Sequence, residues 1–142
     1  MKRAQILVID DDPLFRSLMT SFLRRDFLVM VAGDGKEGLY KASKHVPQLA
    51  IIDVQMPGWD GLRTLHAMRS NPDLPRFPVM MLTGDASRQT VSAAIQAGAD
   101  DYLIKTSLSR DELLKKVCRL LNVDGSIDGK LAAAVVHDDA SH

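Results

Sequence analysis

The pattern that most constrains this chain is a regular alternation of short apolar segments with helical segments. Five apolar, β-rich runs occur at residues 4–9, 27–32, 49–52, 79–82 and 102–104, with helical patterns between them. Strands that alternate with helices in this way indicate a parallel sheet with right-handed crossovers. The continuous apolar runs at 6–9 and 50–52 are typical of strands buried on both faces. We therefore predict a doubly wound α/β fold, with five parallel strands and helices on both faces.

Polar residues mark where the helices start. Asp12 is the expected N-cap of the first helix, and Pro13 fits the first helical position. Asp34 with Glu37, and Ser109 with Glu112, have the spacing of a capping box at the second and fifth helices. The third helix is predicted from about Gly61 to Ser70 and the fourth from about Ser87 to Gly98. In the first helix we expect one apolar stripe, formed by Leu14, Leu18 and Phe22 with Phe15, Met19 and Leu23 alongside.

Composition restricts the class of protein. The chain has 142 residues, of which 46% are hydrophobic, and this is typical of one globular domain. Lys plus Arg and Asp plus Glu both total 18, so the net charge of zero disfavours nucleic-acid binding by this chain alone. The apolar stretches are strand-sized, which disfavours export and membrane insertion. We expect a cytoplasmic protein with one domain at 1–122, followed by a tail or linker at 123–142.

Polar residues follow four of the predicted strands. Asp10 and Asp11 follow the first strand, Asp53 the third, Thr83 the fourth and Lys105 the fifth. Because parallel strands end at the same edge of a sheet, we expect these side chains to converge there. Clustered carboxylates repel one another unless a cation is present, and Mg²⁺ prefers such oxygen ligands.

Phosphoryl transfer onto a carboxylate is the chemistry that uses these groups together. Asp53 would be the nucleophile, and Asp10 and Asp11 the metal ligands. Lys105 would neutralise phosphoryl charge, and the hydroxyl of Thr83 would orient the phosphoryl oxygens.

With these motifs the chain resembles the receiver domain of two-component response regulators. The motifs are Ile-Leu-Val-Ile-Asp10-Asp11-Asp12-Pro, Ile-Ile-Asp53-Val-Gln-Met-Pro57-Gly-Trp-Asp60-Gly61, Met-Leu-Thr83-Gly84 and Gly98-Ala-Asp-Asp-Tyr102-Leu-Ile-Lys105. Four motifs in register over residues 4–122 are a specific signature. The resemblance implies a flavodoxin-like fold with strand order 2-1-3-4-5.

The resemblance also implies a mechanism and partners. Asp53 would accept a phosphoryl group from a phosphohistidine of a sensor histidine kinase or a histidine phosphotransfer protein. The main-chain carbonyl of Gln55 would be a further Mg²⁺ ligand, and Gln55 and Asp85 would influence self-catalysed dephosphorylation. Thr83 and Tyr102 would switch the face of the fourth helix, fifth strand and fifth helix toward an effector domain or protein. In this interpretation the chain is a phosphoacceptor and not an enzyme acting on other substrates.

The sequence departs from the family after Lys105. The family usually has proline there, joined by a cis peptide bond, whereas this chain has Thr106. A non-proline cis bond costs roughly 3 kcal/mol, so the sequence leaves the cis or trans state open. The segment from Thr106 to Ser109 is also slightly long, which weakens any transfer of the family's dimer contacts.

Several alternatives stay open at this stage. A phosphatase of the haloacid dehalogenase type would need a carboxylic acid two residues after the nucleophile, where this chain has Gln55. A degenerate receiver, acting only as a binding module, would have lost Asp53 or Lys105. The basic residues of the fifth helix are expected to be mostly solvated, with a homodimer as the alternative in which some of them pair with Asp100 or Asp101. These basic residues are Arg110, Lys115, Lys116 and Arg119.

Overall fold

The computed structural model describes residues 3–85 and 87–122, which form five strands and five α-helices in strict alternation. The strands are β1 (Gln5–Ile9), β2 (Leu28–Ala32), β3 (Leu49–Asp53), β4 (Val79–Thr83) and β5 (Asp101–Ile104). The helices are α1 (Pro13–Leu23), α2 (Gly35–Lys44), α3 (Gly61–Ser70), α4 (Arg88–Gln96) and α5 (Arg110–Leu121). A short 3₁₀ helix, Lys105–Ser107, follows β5. The predicted strands and helices are therefore confirmed, with small shifts at their ends.

The five strands form one parallel sheet in the order β2-β1-β3-β4-β5. Every residue of β3 and β4 is buried, as the continuous apolar runs predict for central strands. β2 lies at one edge of the sheet and is only partly buried. The doubly wound fold with strand order 2-1-3-4-5 is confirmed.

Two hydrophobic cores lie on opposite faces of the sheet, because successive strand side chains point to opposite sides. In β1, Ile6 and Val8 belong to the core shared with α1 and α5. Leu7 and Ile9 belong to the core shared with α2, α3 and α4. This two-sided burial fixes the strands in register, and so fixes where their polar C-terminal residues lie.

The predicted helix starts are also confirmed. They could be predicted because a cap binds backbone groups that are close to it in the sequence. The Asp12 carboxylate accepts a hydrogen bond from Leu14 N, and the Asp34 carboxylate accepts one from Glu37 N. Glu37 reaches back to accept a hydrogen bond from Gly33 N at 2.6 Å. At α5, the Ser109 hydroxyl accepts from the N–H of Glu112.

The predicted apolar stripe of α1 is wrong in part. Leu14 is 80% exposed and Leu18 is 40% exposed. The side of α1 that faces the sheet instead carries Phe15, Met19, Phe22 and Leu23. Two overlapping stripes exist in this sequence, and a helix packing on one sheet face can bury only one of them. Leu14 and Leu18 therefore form an exposed apolar pair on α1.

The predicted tail at 123–142 lies outside the described residues. Within residues 3–85 and 87–122, none of the helices is long and apolar enough to cross a membrane.

Candidate functional site

Three carboxylates meet at the C-terminal edge of the sheet, as predicted. Ile9 of β1 is paired with Ile52 of β3, so the residues that follow them, Asp10 and Asp53, lie side by side. Asp10, Asp11 and Asp53 each place a carboxylate oxygen within 4.8 Å of the others. Asp10 is 0% exposed and Asp53 is 4% exposed, whereas Asp11 is open to solvent. Asp11 is thus the solvent-exposed member of the cluster.

Lys105 reaches the same cluster from the start of the 3₁₀ helix. Its ammonium nitrogen lies 2.9 Å from Asp10 Oδ2 and 3.1 Å from Asp53 Oδ2. The same nitrogen lies 4.5 Å from the centroid of the Phe15 ring, which lines this position from α1. Burial alone would lower the pKa of Lys105, but the two carboxylates together raise it above its usual value. Lys105 is therefore held as a cation between the two buried carboxylates.

The pKa of Asp53, at the C-terminal edge of the sheet, is well above the usual value for an aspartate. Burial, followed by the nearby charge of Asp10, raises the pKa of Asp53 to about 6. Lys105 and the N–H of Gln55, which donates to Asp53 Oδ1 at 3.2 Å, offset only part of this increase. The Lys105 ammonium thus compensates burial and the charge of Asp10 only in part.

The cluster fits a divalent cation. Asp10 Oδ1 accepts a hydrogen bond from Asp12 N, whereas the buried Asp10 Oδ2 has the Lys105 ammonium as its partner, and Lys105 shares that ammonium with Asp53. One ammonium between two buried carboxylates leaves net negative charge in the cluster, and a metal ion would neutralise it. Mg²⁺ binds through one or two carboxylates and keeps several waters, which suits two buried carboxylates beside an exposed one.

Thr83 lies at the end of β4, next to Asp53. Leu82 is paired with Asp53 in the sheet, and Thr83 follows it. The Thr83 hydroxyl donates to the carbonyl of Asp85 and accepts from Asp85 N, both at 2.9 Å. It makes no hydrogen bond to Asp53 in the described part of the chain. In this conformation the hydroxyl is therefore engaged by its own loop.

Asp85 forms the turn that leads into α4. Its carboxylate accepts hydrogen bonds from Ser87 N and from the hydroxyl of Thr90. These hydrogen bonds hold the pKa of Asp85 below its usual value. Asp85 thus links the residue beside Asp53 to the first turn of α4.

Tyr102 lies on the edge strand β5 and is half-buried against the core of α2, α3 and α4. The Lys116 ammonium, from α5, lies 5.2 Å from its ring centroid. Gln55 is exposed, and its N–H rather than its side chain contacts Asp53. The contribution of the Gln55 carbonyl to a metal site stays a prediction.

The expectation that the basic residues of α5 are mostly solvated is confirmed for Lys115 and Arg119, which are exposed, but not for Lys116, which is partly buried. Lys116 and Arg119 both pair with Asp101 within the chain, and neither needs a second copy to do so. Asp100 instead pairs with Arg69 and Arg76. Lys115 is exposed, as expected.

Sequence reasoning missed these pairs, two contacts at the site and one contact away from it. Arg16 donates from Nη1 to the Asp10 carbonyl at 2.7 Å, and Phe15 contacts Lys105. The Arg110 guanidinium lies 3.8 Å from the buried Asp26 carboxylate. Contacts between distant segments carry no local sequence signal.

Comparison with known proteins gives a consistent result. Residues 6–118 match the family model described as "Response regulator receiver domain". Response regulator MprA of Mycolicibacterium vanbaalenii is 37% identical over 139 residues, covering 96% of this chain and 59% of the relative. DNA-binding response regulator MtrA of Mycolicibacterium smegmatis is 31% identical over 119 residues, covering 83% of this chain and 51% of the relative. The chain therefore spans little more than half the length of these relatives.

Solved structures agree with these sequence matches. Chemotaxis protein CheY4 of Vibrio cholerae superimposes with a TM-score of 0.78 at 30% identity, covering 83% of this chain and 98% of that one. The receiver domain of Francisella response regulator 1452 superimposes with a TM-score of 0.75 at 30% identity, covering 82% of this chain and 95% of that one.

Proposed function

The chain belongs to the response regulator receiver domain family, and on that premise we propose that Asp53 accepts a phosphoryl group from a phosphohistidine. The donor would be a sensor histidine kinase or a histidine phosphotransfer protein. The observation that carries this proposal is the contact of one ammonium, that of Lys105, with the carboxylates of both Asp10 and Asp53. In this proposal the chain acts in the cytoplasm as a phosphoacceptor and switch.

The chemical step follows from the positions of these groups. A carboxylate oxygen of Asp53 attacks the phosphorus atom, and a new oxygen–phosphorus bond forms as the phosphorus–nitrogen bond to the donor imidazole breaks. The electron pair of the broken bond returns to the imidazole nitrogen, which then takes up a proton. Lys105 lies where it can neutralise charge on the transferring phosphoryl oxygens.

Mg²⁺, held by Asp10, Asp11, Asp53 and the main-chain carbonyl of Gln55, would add positive charge at the phosphoryl oxygens. Asp10 keeps its carboxylate in place through the hydrogen bond from Asp12 N. The exposed Asp11 leaves one side of the site open to the donor.

Phosphorylation would act as a switch through Thr83 and Tyr102. A phosphoryl group adds a dianion at Asp53, and the neighbouring Thr83 hydroxyl would leave Asp85 to donate a hydrogen bond to it. Tyr102 would then turn inward and change the face made by α4, β5 and α5. Shifting the active state from about 1% to about 99% requires on the order of 5 kcal/mol, which a few charge-assisted hydrogen bonds can supply.

The exposed apolar pair on α1 supports docking of a helical donor. Leu14 and Leu18 are exposed and one turn apart, and Leu14 follows the Asp12 cap by two residues. Apolar residues at this spacing suit packing against another helix. A downstream effector domain or protein would read the α4, β5 and α5 face.

Direct phosphorylation tests the proposal. The protein is incubated with Mg²⁺ and acetyl phosphate, and its intact mass is followed with time. We expect the addition of one phosphoryl group, and none in Asp53→Asn. Asp60→Asn is the matched control, because Asp60 only caps α3 through Arg63 N and asparagine caps equally well. Unmodified wild-type protein, or full modification of Asp53→Asn, would overturn the proposal.

A second measurement distinguishes the proposed phosphoacceptor from the alternative, a phosphatase. Gln55 cannot donate and regain a proton as the general acid of such an enzyme must. We therefore expect no sustained hydrolysis of p-nitrophenyl phosphate. Steady turnover that disappears in Asp53→Ala would favour the phosphatase.

A further inference from the structure

We infer that Lys116 is a positioning residue that holds Tyr102 in its resting orientation and so opposes switching. The inference rests on the proposed function, in which Tyr102 is the aromatic switch. It concerns a different element from the phosphoryl site, because Lys116 belongs to α5 and lies outside the carboxylate cluster.

Lys116 contacts both the backbone and the ring of Tyr102. Its ammonium donates to the Tyr102 carbonyl at 3.0 Å and lies 5.2 Å from the centroid of the ring. α5 covers one face of the sheet, whereas the Tyr102 ring packs with the core on the other face. Lys116 therefore reaches around the edge strand β5 to contact Tyr102.

Asp101 fixes the ammonium in this position. The Asp101 side chain is almost completely buried, and its Oδ1 accepts a hydrogen bond from Lys116 at 3.0 Å and another from Tyr102 N at 2.8 Å. Arg119 also pairs with Asp101. Because it is anchored, the ammonium is a fixed cation near the ring rather than a mobile surface charge.

A fixed cation near an aromatic ring favours the conformation in which they touch. Turning the Tyr102 ring away breaks this contact, whereas the bonds of Asp101 to the backbone and to Arg119 remain. Lys116 would therefore bias the two-state equilibrium toward the resting state. Removing the charge should shift that equilibrium about 2- to 5-fold toward the turned state, the size expected for losing one partly exposed cation–π contact.

Arg119 provides the matched control. It pairs with the same Asp101 carboxylate, but it makes no described contact with Tyr102. Lys116→Met removes the ring contact, the hydrogen bond to the Tyr102 carbonyl and a charge on Asp101, whereas Arg119→Met removes only a charge on Asp101. A purely structural role for the ion pairs would make the two variants behave alike.

Two tyrosines in the chain make the switch directly observable. Tyrosine rings labelled with carbon-13 are followed by NMR in the full chain, with Tyr40→Phe to assign the signals and exposed Tyr40 as the internal reference. The Tyr102 shift is recorded with Mg²⁺ alone and after addition of beryllium fluoride. We expect the Lys116→Met signal with Mg²⁺ alone to lie part of the way toward the wild-type fluoride-bound position. Arg119→Met should match the wild type.

A kinetic readout accompanies the spectra. Lys116→Met should be phosphorylated by acetyl phosphate about 2- to 5-fold faster than wild type, and Lys116→Arg, which keeps a cation, should restore the wild-type rate. If Lys116→Met does not fold, Lys116→Gln replaces it in both measurements.

The outcomes separate this inference from the proposed function. If Tyr102 moves with beryllium fluoride in the wild type but Lys116→Met coincides with wild type or with Arg119→Met, the inference is wrong and the proposed function stands. If Tyr102 does not move in the wild type, although Asp53 is phosphorylated, the switch role of Tyr102 is wrong and the inference falls with it.

Discussion

The ammonium nitrogen of Lys105 lies 3.1 Å from Asp53 Oδ2, although the peptide bond between Lys105 and Thr106 is trans. Within the described residues no peptide bond is cis. The cis or trans question that the missing proline raises is therefore answered for this structure. Thr106, which lies in the 3₁₀ helix Lys105–Ser107, therefore does not keep the Lys105 ammonium from the carboxylates of Asp10 and Asp53.

Loss of the Lys105 cation should slow phosphorylation strongly. Lys105→Met removes the ammonium beside Asp53, and we expect a rate with acetyl phosphate roughly 100-fold lower, the usual effect of deleting one charge-stabilising group. Intact-mass time courses measure this rate. Lys115→Met is the matched control, because Lys115 is exposed on α5 and should leave the rate unchanged. Equal rates in both variants would contradict the role of Lys105.

Removing the charge of Asp53 should stabilise the metal-free fold. The raised pKa of Asp53, about 6, means that the folded state binds a proton more tightly than the unfolded chain does. This tighter proton binding stabilises the folded state fully below about pH 4, and the stabilisation is lost as the pH rises through 6. Asp53→Asn should therefore have a higher free energy of unfolding than wild type at pH 7, by up to about 3 kcal/mol, and no such advantage at pH 4.

Urea unfolding in EDTA at the two pH values measures this difference. Asp73→Asn removes an exposed carboxylate elsewhere and should change little. A destabilised Asp53→Asn at pH 7 would mean that Lys105 over-compensates the cluster.

Mg²⁺ should stabilise the protein through Asp11. When free Mg²⁺ reaches about 100 times its Kd, binding to the folded state adds about 2.7 kcal/mol to the free energy of unfolding. Asp11→Asn should weaken this response, whereas the adjacent Asp12→Asn should retain it, because Asp12 caps α1 and asparagine can do the same. Thermal unfolding across a Mg²⁺ titration makes the comparison. An equal loss of Mg²⁺ stabilisation in Asp11→Asn and Asp12→Asn would show that only the local net charge matters for Mg²⁺ binding.

A side chain at Gly61 should destabilise the folded state. A Cβ atom at Gly61 would overlap the carbonyl oxygen of Asp53 and lie 2.7 Å from Val54 Cα, both backbone atoms that cannot move aside cheaply. Gly61→Ala should lower the free energy of unfolding by about 1 to 3 kcal/mol. Gly84→Ala, where a Cβ would meet nothing within 4 Å, is the control. Chemical denaturation measures both, and a stable Gly61→Ala would show that the loop after β3 adjusts freely.

Local features of the fold could be predicted well from the sequence. The caps Asp12, Asp34 and Ser109 are confirmed because the groups that they bind lie two or three residues away. The apolar stripe of α1 was predicted only in part, because the choice between Leu14 and Phe15 depends on how the helix is rotated against the sheet.

The sequence by itself determined the order of strands and helices, and it located Asp10, Asp11, Asp53, Thr83 and Lys105 at strand ends. Strand periodicity and capping are short-range, and parallel strands must end at a common edge. Only the tertiary structure decided that Lys105 contacts both Asp10 and Asp53, that the Thr83 hydroxyl is engaged by Asp85, and that Lys116 reaches Tyr102. These contacts depend on side-chain directions and on the packing of distant segments, which no local pattern encodes.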